Sequence, residues 1–167
     1  MKREMRRIKQ LLPEEKTAEI MERNTAGVLA VKDDEGYPYA VPISYVYADG
    51  KVYMHSAKEG HKVDAVKNYD KASFCVIDKD QIVPEEYTTY FRSAIAFGKV
   101  RLIEEGEEKQ RAIELLGRKY NPKGTEEDLQ RTIEKEDPRF VIIALDIEHM
   151  TGKEAIELVR AAENRQM

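Results

Sequence analysis

Three short segments in the first third of the chain, separated by turn residues, constrain the fold more than any other feature. These segments are residues 28–31, 37–47 and 52–56. The second and third are separated by Asp49 and Gly50, a strong hairpin signal because a two-residue turn of this twist needs positive φ values. Three strands this close together, joined by tight turns, predict an antiparallel meander.

The rest of the chain continues with strands and with helices between and around them. Further strands are predicted at residues 72–77, 88–103 and 139–147, and helices at residues 13–24, 60–69 and 107–120, with a capped helix from Thr125 and a helical tail from about residue 153. Gly98 lies within the longest strand, where a bend or a close backbone approach is expected. Strands and helices do not alternate regularly along the chain, as they would in a fold with a parallel sheet. We therefore expect a mainly β fold with flanking helices, built on six antiparallel strands.

Two of the predicted strands, residues 28–31 and 140–145, are apolar on both faces. An antiparallel strand of this kind must be covered on both sides. A barrel supplies an interior for one face and removes exposed sheet edges. The outer face needs a second copy of the chain, so we expect a small antiparallel barrel that forms a homodimer through its outer wall.

The composition excludes several classes of function. The 167 residues carry 28 Lys and Arg against 32 Asp and Glu, a net charge of -4 that argues against binding along nucleic acid. No apolar run approaches the ~20 residues of a membrane helix, and the single cysteine, Cys75, excludes a disulfide framework. His61 and Asp64 have a spacing that suits a metal, but no third ligand is evident, so no metal site is expected. We expect one cytoplasmic domain over residues 1–167.

The connection between the third strand and the following helix carries the strongest candidate site. Gly60 lets the backbone turn into a helix, and the first N–H groups of a helix form a ready anion site. A hydroxyl, two ammonium groups and an imidazole surround it, from Ser56, Lys58, Lys62 and His61. Hydroxyl and ammonium groups are the usual partners of phosphate, so the pattern favours a phosphomonoester. The alternative is a solvated connection, because Ser, Gly and Lys are ordinary loop residues.

The order of these segments resembles a known family. The matching stretches are residues 27–31, 36–44, 52–57, 60–62 and 92–99. Together they are similar to the FMN-binding split-barrel superfamily related to pyridoxamine 5′-phosphate oxidase, and within it they most resemble the 5-nitroimidazole-resistance, or nitroimidazole-reductase, branch. The resemblance covers roughly residues 1–150. The chain lacks the arginine-rich run that binds the substrate phosphate in the oxidase itself, so synthesis of pyridoxal phosphate is not expected.

The resemblance implies a six-stranded antiparallel split β-barrel and a homodimer with FMN at the subunit interface. It implies an isoalloxazine ring beside Val41, Pro42, Ile43 and Ser44, a phosphate beside Ser56, His61 and Lys62 with Ala57 and Gly60 in the same loop, and Arg92 and Ser93 in the lining of the pocket. Backbone groups of a strand can hydrogen-bond the edge of the ring, and Pro42 interrupts ladder pairing there. Lys62 offers a compact positive charge.

His55, at the end of the third strand, is the candidate catalytic residue. The resemblance implies that it lies near the flavin, where histidine can orient a substrate or donate a proton. Its alternative role is that of a partly buried histidine bonded to a carbonyl. The implied activity is that of an FMN-dependent oxidoreductase that reduces a small electron-poor substrate such as a nitroimidazole. The alternatives are a non-catalytic flavin carrier or sensor, and a binder of haem or a deazaflavin in the same fold.

Overall fold

The computed structural model describes residues 4–166 of the chain. Its α-helices are α1 (Glu14–Arg23), α2 (His61–Asn68), α3 (Glu107–Tyr120), α4 (Glu126–Glu136) and α5 (Ile156–Gln166). Its strands are β1 (Ala26–Lys32), β2 (Pro38–Ser44), β3 (Val46–Ala48), β4 (Lys51–Ala57), β5 (Lys71–Val83), β6 (Thr88–Ile103) and β7 (Phe140–Glu154). Short 3₁₀ turns lie at Ile8–Gln10, Pro84–Glu86 and Asp137–Arg139. Among these described helices, none is long and apolar enough to cross a membrane.

The strands form one antiparallel sheet in the order β2-β1-β5-β6-β7-β4-β3. The prediction of a mainly β fold with flanking helices is confirmed, but the number of strands is seven and the prediction of six is wrong. The predicted strand over residues 37–47 is divided at Tyr45 into β2 and β3. The Tyr45 side chain is fully buried, and its hydroxyl donates to the backbone oxygen of Met21 at 2.7 Å. Its backbone N–H donates to the hydroxyl of Tyr120 at 2.8 Å, so Tyr45 leaves the sheet pairing.

The two halves of the divided strand lie at opposite edges of the sheet. Because a single residue joins β2 to β3, the sheet must curl until its two edges approach each other at Tyr45. Within residues 4–166 these edges do not pair with each other, so the barrel is split and not closed. The interior is filled by a core that includes Leu29, Met54, Phe74 and Ile143.

A second apolar layer covers the outer face of β4 and β7. Tyr53, Ile142 and Ala144 of these strands pack with Ala112 and Leu116 of α3. All of the residues from 140 to 145 are buried, as the apolar run on β7 predicts. The cover of their outer face, however, is α3 of the same chain and not a second copy. The reason is that β4 and β7 are neighbours, and together they offer a face wide enough to seat a helix.

Three local predictions are confirmed in the backbone. Asp49 and Gly50 have φ values of 52° and 71°, as a two-residue hairpin turn requires. Gly98 lies where the pairing of β6 with β7 shifts register, and a Cβ there would collide with the carbonyl oxygen of Asp146. Helix α4 is capped by the Thr125 hydroxyl, which accepts the N–H of Asp128 at 3.1 Å.

The last strand is longer than its sequence predicts. It continues beyond residue 147 to Glu154, because β6 is long enough to pair with it as far as Arg92 opposite Glu154. The predicted helical tail begins after it as α5.

Candidate functional site

The split between β2 and β4 leaves two strand edges unpaired. Across the described part of the chain, β2 pairs along Pro38–Ser44 with β1 alone, and β4 pairs with β3 only over residues 51–53. The remainder of β4 is bonded to β7 on one side and open on the other. The predicted residues 41–44 and 55–57 lie on these two open edges. The structure therefore brings both runs to the sides of one gap, whose backbone N–H and C=O groups need partners.

Side chains along the β2 edge alternate between the barrel core and the outer surface. Val41 and Ile43 pack against the core, whereas Pro42 and Ser44 are exposed. Pro42 has no N–H group, so this edge is less able to accept a further strand. The edge is therefore suited to a ligand more than to another strand.

The β4 edge places Ser56 and His55 on opposite faces. Ser56 is only 4% exposed, and its Oγ has no hydrogen-bond partner within residues 4–166. A buried polar atom without a partner costs about 1–3 kcal/mol, and such atoms in folded proteins call for an explanation such as an absent ligand. Ala57, the next residue, is exposed at the start of the loop. Ser56 therefore fits a side chain whose partner is a bound molecule.

The loop after β4 ends in the first turn of α2. Gly60 precedes the helix with a φ of 129°, which favours glycine, and its carbonyl accepts the N–H groups of Val63 and Asp64. In the described structure the N–H groups of His61 and Lys62 have no partner. The half-buried Lys62 forms no ion pair there. This turn thus offers two backbone donors and a cation to an anion.

His61 is fixed by two neighbours that the sequence did not single out for this purpose. Its ring stacks on Tyr39 of β2, with ring centroids 4.2 Å apart and planes 17° apart. Its Nε2 lies 3.5 Å from Oδ2 of Asp33, whose side chain is largely buried in the turn before β2. These contacts tie the start of α2 to β2, which lies on the other side of the split from β4.

Arg92 and Ser93 are not brought to the split within one chain. Arg92 pairs with Glu154 of β7, whereas Ser56 pairs in register with Val141, about 40 Å away along that strand at ~3.3 Å per residue. The Arg92 guanidinium donates to Glu154 at 3.0 Å and to Asp78 at 3.4 Å. In one chain, therefore, Arg92 belongs to an ion-pair network and lies away from the split.

Asp78 is the centre of that network. Its side chain is only 7% exposed, and it accepts two hydrogen bonds of 2.6 Å from Arg23 and one of 2.8 Å from Asn24. The hydrogen bonds from Arg23 lower the pKa of the Asp78 carboxyl, and those from Asn24 and Arg92 lower it further, against the opposing effect of burial. The network stabilises the bulge in β5 between Ile77 and Lys79.

His55 projects to the outer face of β4, towards α3 and α4. Its ring meets that of Phe140 edge to face, with the centroids 6.5 Å apart. Neither of its ring nitrogens has a hydrogen-bond partner among the described residues, and the residue is exposed. The alternative of a buried histidine bonded to a carbonyl therefore does not describe this structure.

His55 and Ser44 share the wall of a cavity of about 380 Å³. The rest of the wall comes from α3, α4 and the start of β7, and includes Leu116, Tyr120, Leu129, Thr132, Ile133 and Phe140. Sequence reasoning predicted the two helices but did not assign these residues to a site. Their apolar spacing predicts only a buried helix face, and the cavity arises from how the two helices rest on the sheet.

The family follows from comparison with known proteins. The family model described as pyridoxamine 5′-phosphate oxidase matches residues 13–154. The chain belongs to this family. The predicted relationship is thereby confirmed for most of the chain, including both edges of the split and the loop before α2. A comparison with curated proteins gives no significant match.

Several solved structures have the same fold as this chain. Protein Rv2991 of Mycobacterium tuberculosis is 17% identical, with 90% of each chain covered and a TM-score of 0.78. A Bacteroides thetaiotaomicron protein described as a candidate 5-nitroimidazole antibiotic resistance protein is 23% identical, with 86% of each chain covered and a TM-score of 0.69. An FAD and haem binding protein of Mycobacterium smegmatis is 21% identical, covers 88% of this chain and 73% of its own, and has a TM-score of 0.69. At these low sequence identities, the similarity shows a shared fold and nothing more specific.

Proposed function

We propose that this member of the pyridoxamine 5′-phosphate oxidase family binds FMN in the split between β2 and β4 and acts as an oxidoreductase on a small electron-poor substrate. The observation that carries the proposal is the pair of unpaired strand edges, residues 41–44 and 55–57, that face one gap. An edge of this kind can hydrogen-bond the polar rim of a flat ring along its length. The family match over residues 13–154 supports a flavin at this position.

The phosphate end is assigned to the loop and the first turn of α2. Lys62 supplies a charge, the N–H groups of His61 and Lys62 supply donors, and Gly60 leaves the approach open because no atom lies within 4 Å of where its Cβ would be. The unpartnered hydroxyl of Ser56 supplies a further hydrogen bond. Charge-assisted hydrogen bonds of this kind contribute about 1.5–3 kcal/mol each. The residues present therefore fit a phosphomonoester.

FMN, when bound, supplies the electron-transfer chemistry, and the chain's own residues would position the substrate. His55 is the only ionisable side chain from the two open edges, residues 41–44 and 55–57, and its ring nitrogens are available to a substrate. We assign to it the orientation of the substrate or the donation of a proton to it. The described function of the Bacteroides protein supports a nitroimidazole as the type of substrate.

A homodimer is part of the proposal. The outer face of β1, β5 and β6 has Val28, Cys75 and Ile95 in adjacent register positions, with Phe97 49% exposed beside them. In contrast to the face of β4 and β7, no helix of the described chain lies over this row. A contiguous exposed apolar patch on a β-sheet marks an interaction surface.

The spectrum of the purified protein tests the proposal. We expect a yellow protein with an absorption band near about 450 nm, FMN released on denaturation, and bleaching by NADPH that a nitroimidazole reverses in the absence of oxygen. A colourless protein that does not bind added FMN would contradict the cofactor assignment. A haem or deazaflavin spectrum would replace it with one of the alternatives. A flavin that is reduced but not reoxidised by any electron-poor acceptor would favour the carrier or sensor.

A further inference from the structure

The cavity beside His55 has the dimensions of a site for a small molecule. Its volume of about 380 Å³ lies near the lower end of the ~300–1,000 Å³ that ligand pockets span, so it suits a compact molecule more than a dinucleotide. It is continuous with the split, because Ser44 and His55 belong both to the open strand edges and to the cavity wall. A molecule in this cavity would lie next to whatever occupies the split.

The wall of the cavity is mainly apolar and contains no permanently charged cationic side chain. Leu116, Leu129, Ile133 and Phe140 form its sides, and neither Lys nor Arg is among its lining residues within the described structure. Its one carboxylate, Glu136, faces the neighbouring Arg139 at 3.3 Å. Polar groups are concentrated at one end, where Ser44 and His55 lie.

Two ammonium groups that neighbour residues of this region are already engaged by other groups. Lys109 lies over the ring of Phe140, but its Nζ is 2.8 Å from the carboxylate of Asp137 and donates to the Asp137 carbonyl at 3.0 Å. Lys119 donates to the carbonyl of Asn24 at 2.6 Å and lies over the ring of Tyr45. An anionic molecule in the cavity would therefore lose its hydration without gaining an ion pair with Lys or Arg, and such a loss costs several kcal/mol.

The two helices hold the cavity wall at a defined distance. Leu129 of α4 packs against Gly117 of α3 so closely that a Cβ on Gly117 would collide with it. The Tyr120 hydroxyl anchors the end of α3 to the backbone at Tyr45. The cavity is therefore built by fixed contacts and does not depend on a mobile lid.

From these observations we infer that the cavity between α3, α4 and β4 is the substrate site, and that it takes a neutral, compact and largely apolar molecule whose polar group meets Ser44 and His55. The identification of the cavity as a substrate site rests on the proposed function, whereas the binding of a small molecule to the cavity does not. The inference implies that the protein selects against substrates that carry a carboxylate or a phosphate.

The test compares 4-nitrobenzyl alcohol with 4-nitrobenzoate, which have the same shape but differ in charge. Binding is measured by ligand-observed NMR titration of the full chain, with and without added FMN. We expect the neutral compound to bind at least about tenfold more tightly than the anion. Equal binding of the two compounds, or no binding of the neutral one, would overturn the inference.

Matched variants locate the binding. Thr132→Phe introduces a ring into the cavity at an exposed position, and Glu134→Phe introduces the same ring on α4 outside the cavity wall. We expect Thr132→Phe to weaken binding of the neutral compound about tenfold or more, and Glu134→Phe to leave that binding unchanged. Both variants should bind FMN with the wild-type affinity. Wild-type affinity in Thr132→Phe would reject the cavity. Probe binding that responds to Thr132→Phe in a protein that never binds FMN would refute the proposed function and leave the cavity assignment intact.

Discussion

The hydroxyl group of Tyr120 accepts a hydrogen bond from the backbone N–H of Tyr45 at 2.8 Å. It also donates to the carbonyl oxygen of Thr25, so the end of α3 is bonded both to the break between β2 and β3 and to the residue before β1. Tyr120 lies in the cavity wall as well. The helix that forms the cavity is thus fixed to the residue at which the barrel divides, and the geometry of the split and that of the cavity depend on one side chain.

Tyr120→Phe should lower the free energy of unfolding by about 1–2 kcal/mol, because it leaves the Tyr45 N–H without its partner while keeping the aromatic ring. Urea denaturation measures the change. Tyr87→Phe is the control, since Tyr87 is 98% exposed and its hydroxyl has no partner in the described structure. Equal effects of the two substitutions would show that the bond to Tyr45 contributes nothing to stability.

The sequence predicts elements whose signals are local and misses those set by distant contacts. The bounds of α3 and the turn at Asp49 and Gly50 follow from helical spacing and turn chemistry within a few residues. The division at Tyr45 does not, because residues 41–47 alternate as one strand would, and the partners that remove Tyr45 from the sheet, Met21 and Tyr120, are far away in the sequence.

The same distinction applies to the candidate site. Both runs that flank the split are recognisable from the sequence, because each carries a short motif of the family. The cavity is not recognisable, since its lining from α3 and α4 has only the apolar spacing of any helix that packs on a sheet. Arg92 shows the opposite case, because its motif is clear but its partners Asp78 and Glu154 become evident only from the fold.

Ser56→Ala should have opposite effects on stability and on cofactor affinity. The Ser56 oxygen has no partner in the described structure, so its removal should leave the flavin-free protein equally or slightly more stable. The same change should weaken FMN binding by about 1.5–3 kcal/mol, and Lys62→Ala should weaken it by a similar amount. Fluorescence titration and thermal unfolding measure the two quantities. Lys67→Ala, at the exposed end of α2, is the control. An unchanged FMN titration in the variant that combines Ser56→Ala with Lys62→Ala would reject this phosphate site.

His55→Gln should reduce the rate of substrate reduction about 10²-fold, because glutamine keeps a polar group but cannot donate a proton readily. The flavin spectrum and the homodimer should persist. Stopped-flow reduction of a nitroimidazole measures the rate. Lys67→Ala, at the exposed end of α2, is the control. A wild-type rate in His55→Gln would contradict a role of His55 in orienting the substrate or donating a proton.

Asp78→Asn should destabilise the protein at neutral pH by about 2 kcal/mol, since the carboxylate forms hydrogen bonds with charged partners. The pKa of Asp78 is lowered in the folded protein from its ordinary value of 3.8, so its contribution is present above that value and is lost as the pH falls through the lowered pKa. The difference in the free energy of unfolding between the wild type and the variant should therefore become smaller below about pH 4. Urea denaturation at both pH values measures it. A difference in the free energy of unfolding that stays constant between the two pH values would contradict the linkage.

Phe97→Asp should convert the homodimer into a monomer, because it introduces a charge into the apolar row of the outer face, where Phe97 is 49% exposed and faces Ser73 in register. Burial of an unpaired carboxylate in such an interface costs several kcal/mol. Light scattering of the wild type should give twice the mass of the chain, and the variant should give the mass of one chain.

Loss of the dimer should also weaken FMN binding if Arg92 of one subunit contributes to the split of the other, and an FMN titration of the monomeric variant measures this. Tyr69→Asp is the control, because Tyr69 is exposed to a similar extent at the end of α2. A wild type that is itself monomeric would refute the interface, and a monomeric variant with wild-type FMN affinity would show that each subunit completes its own site.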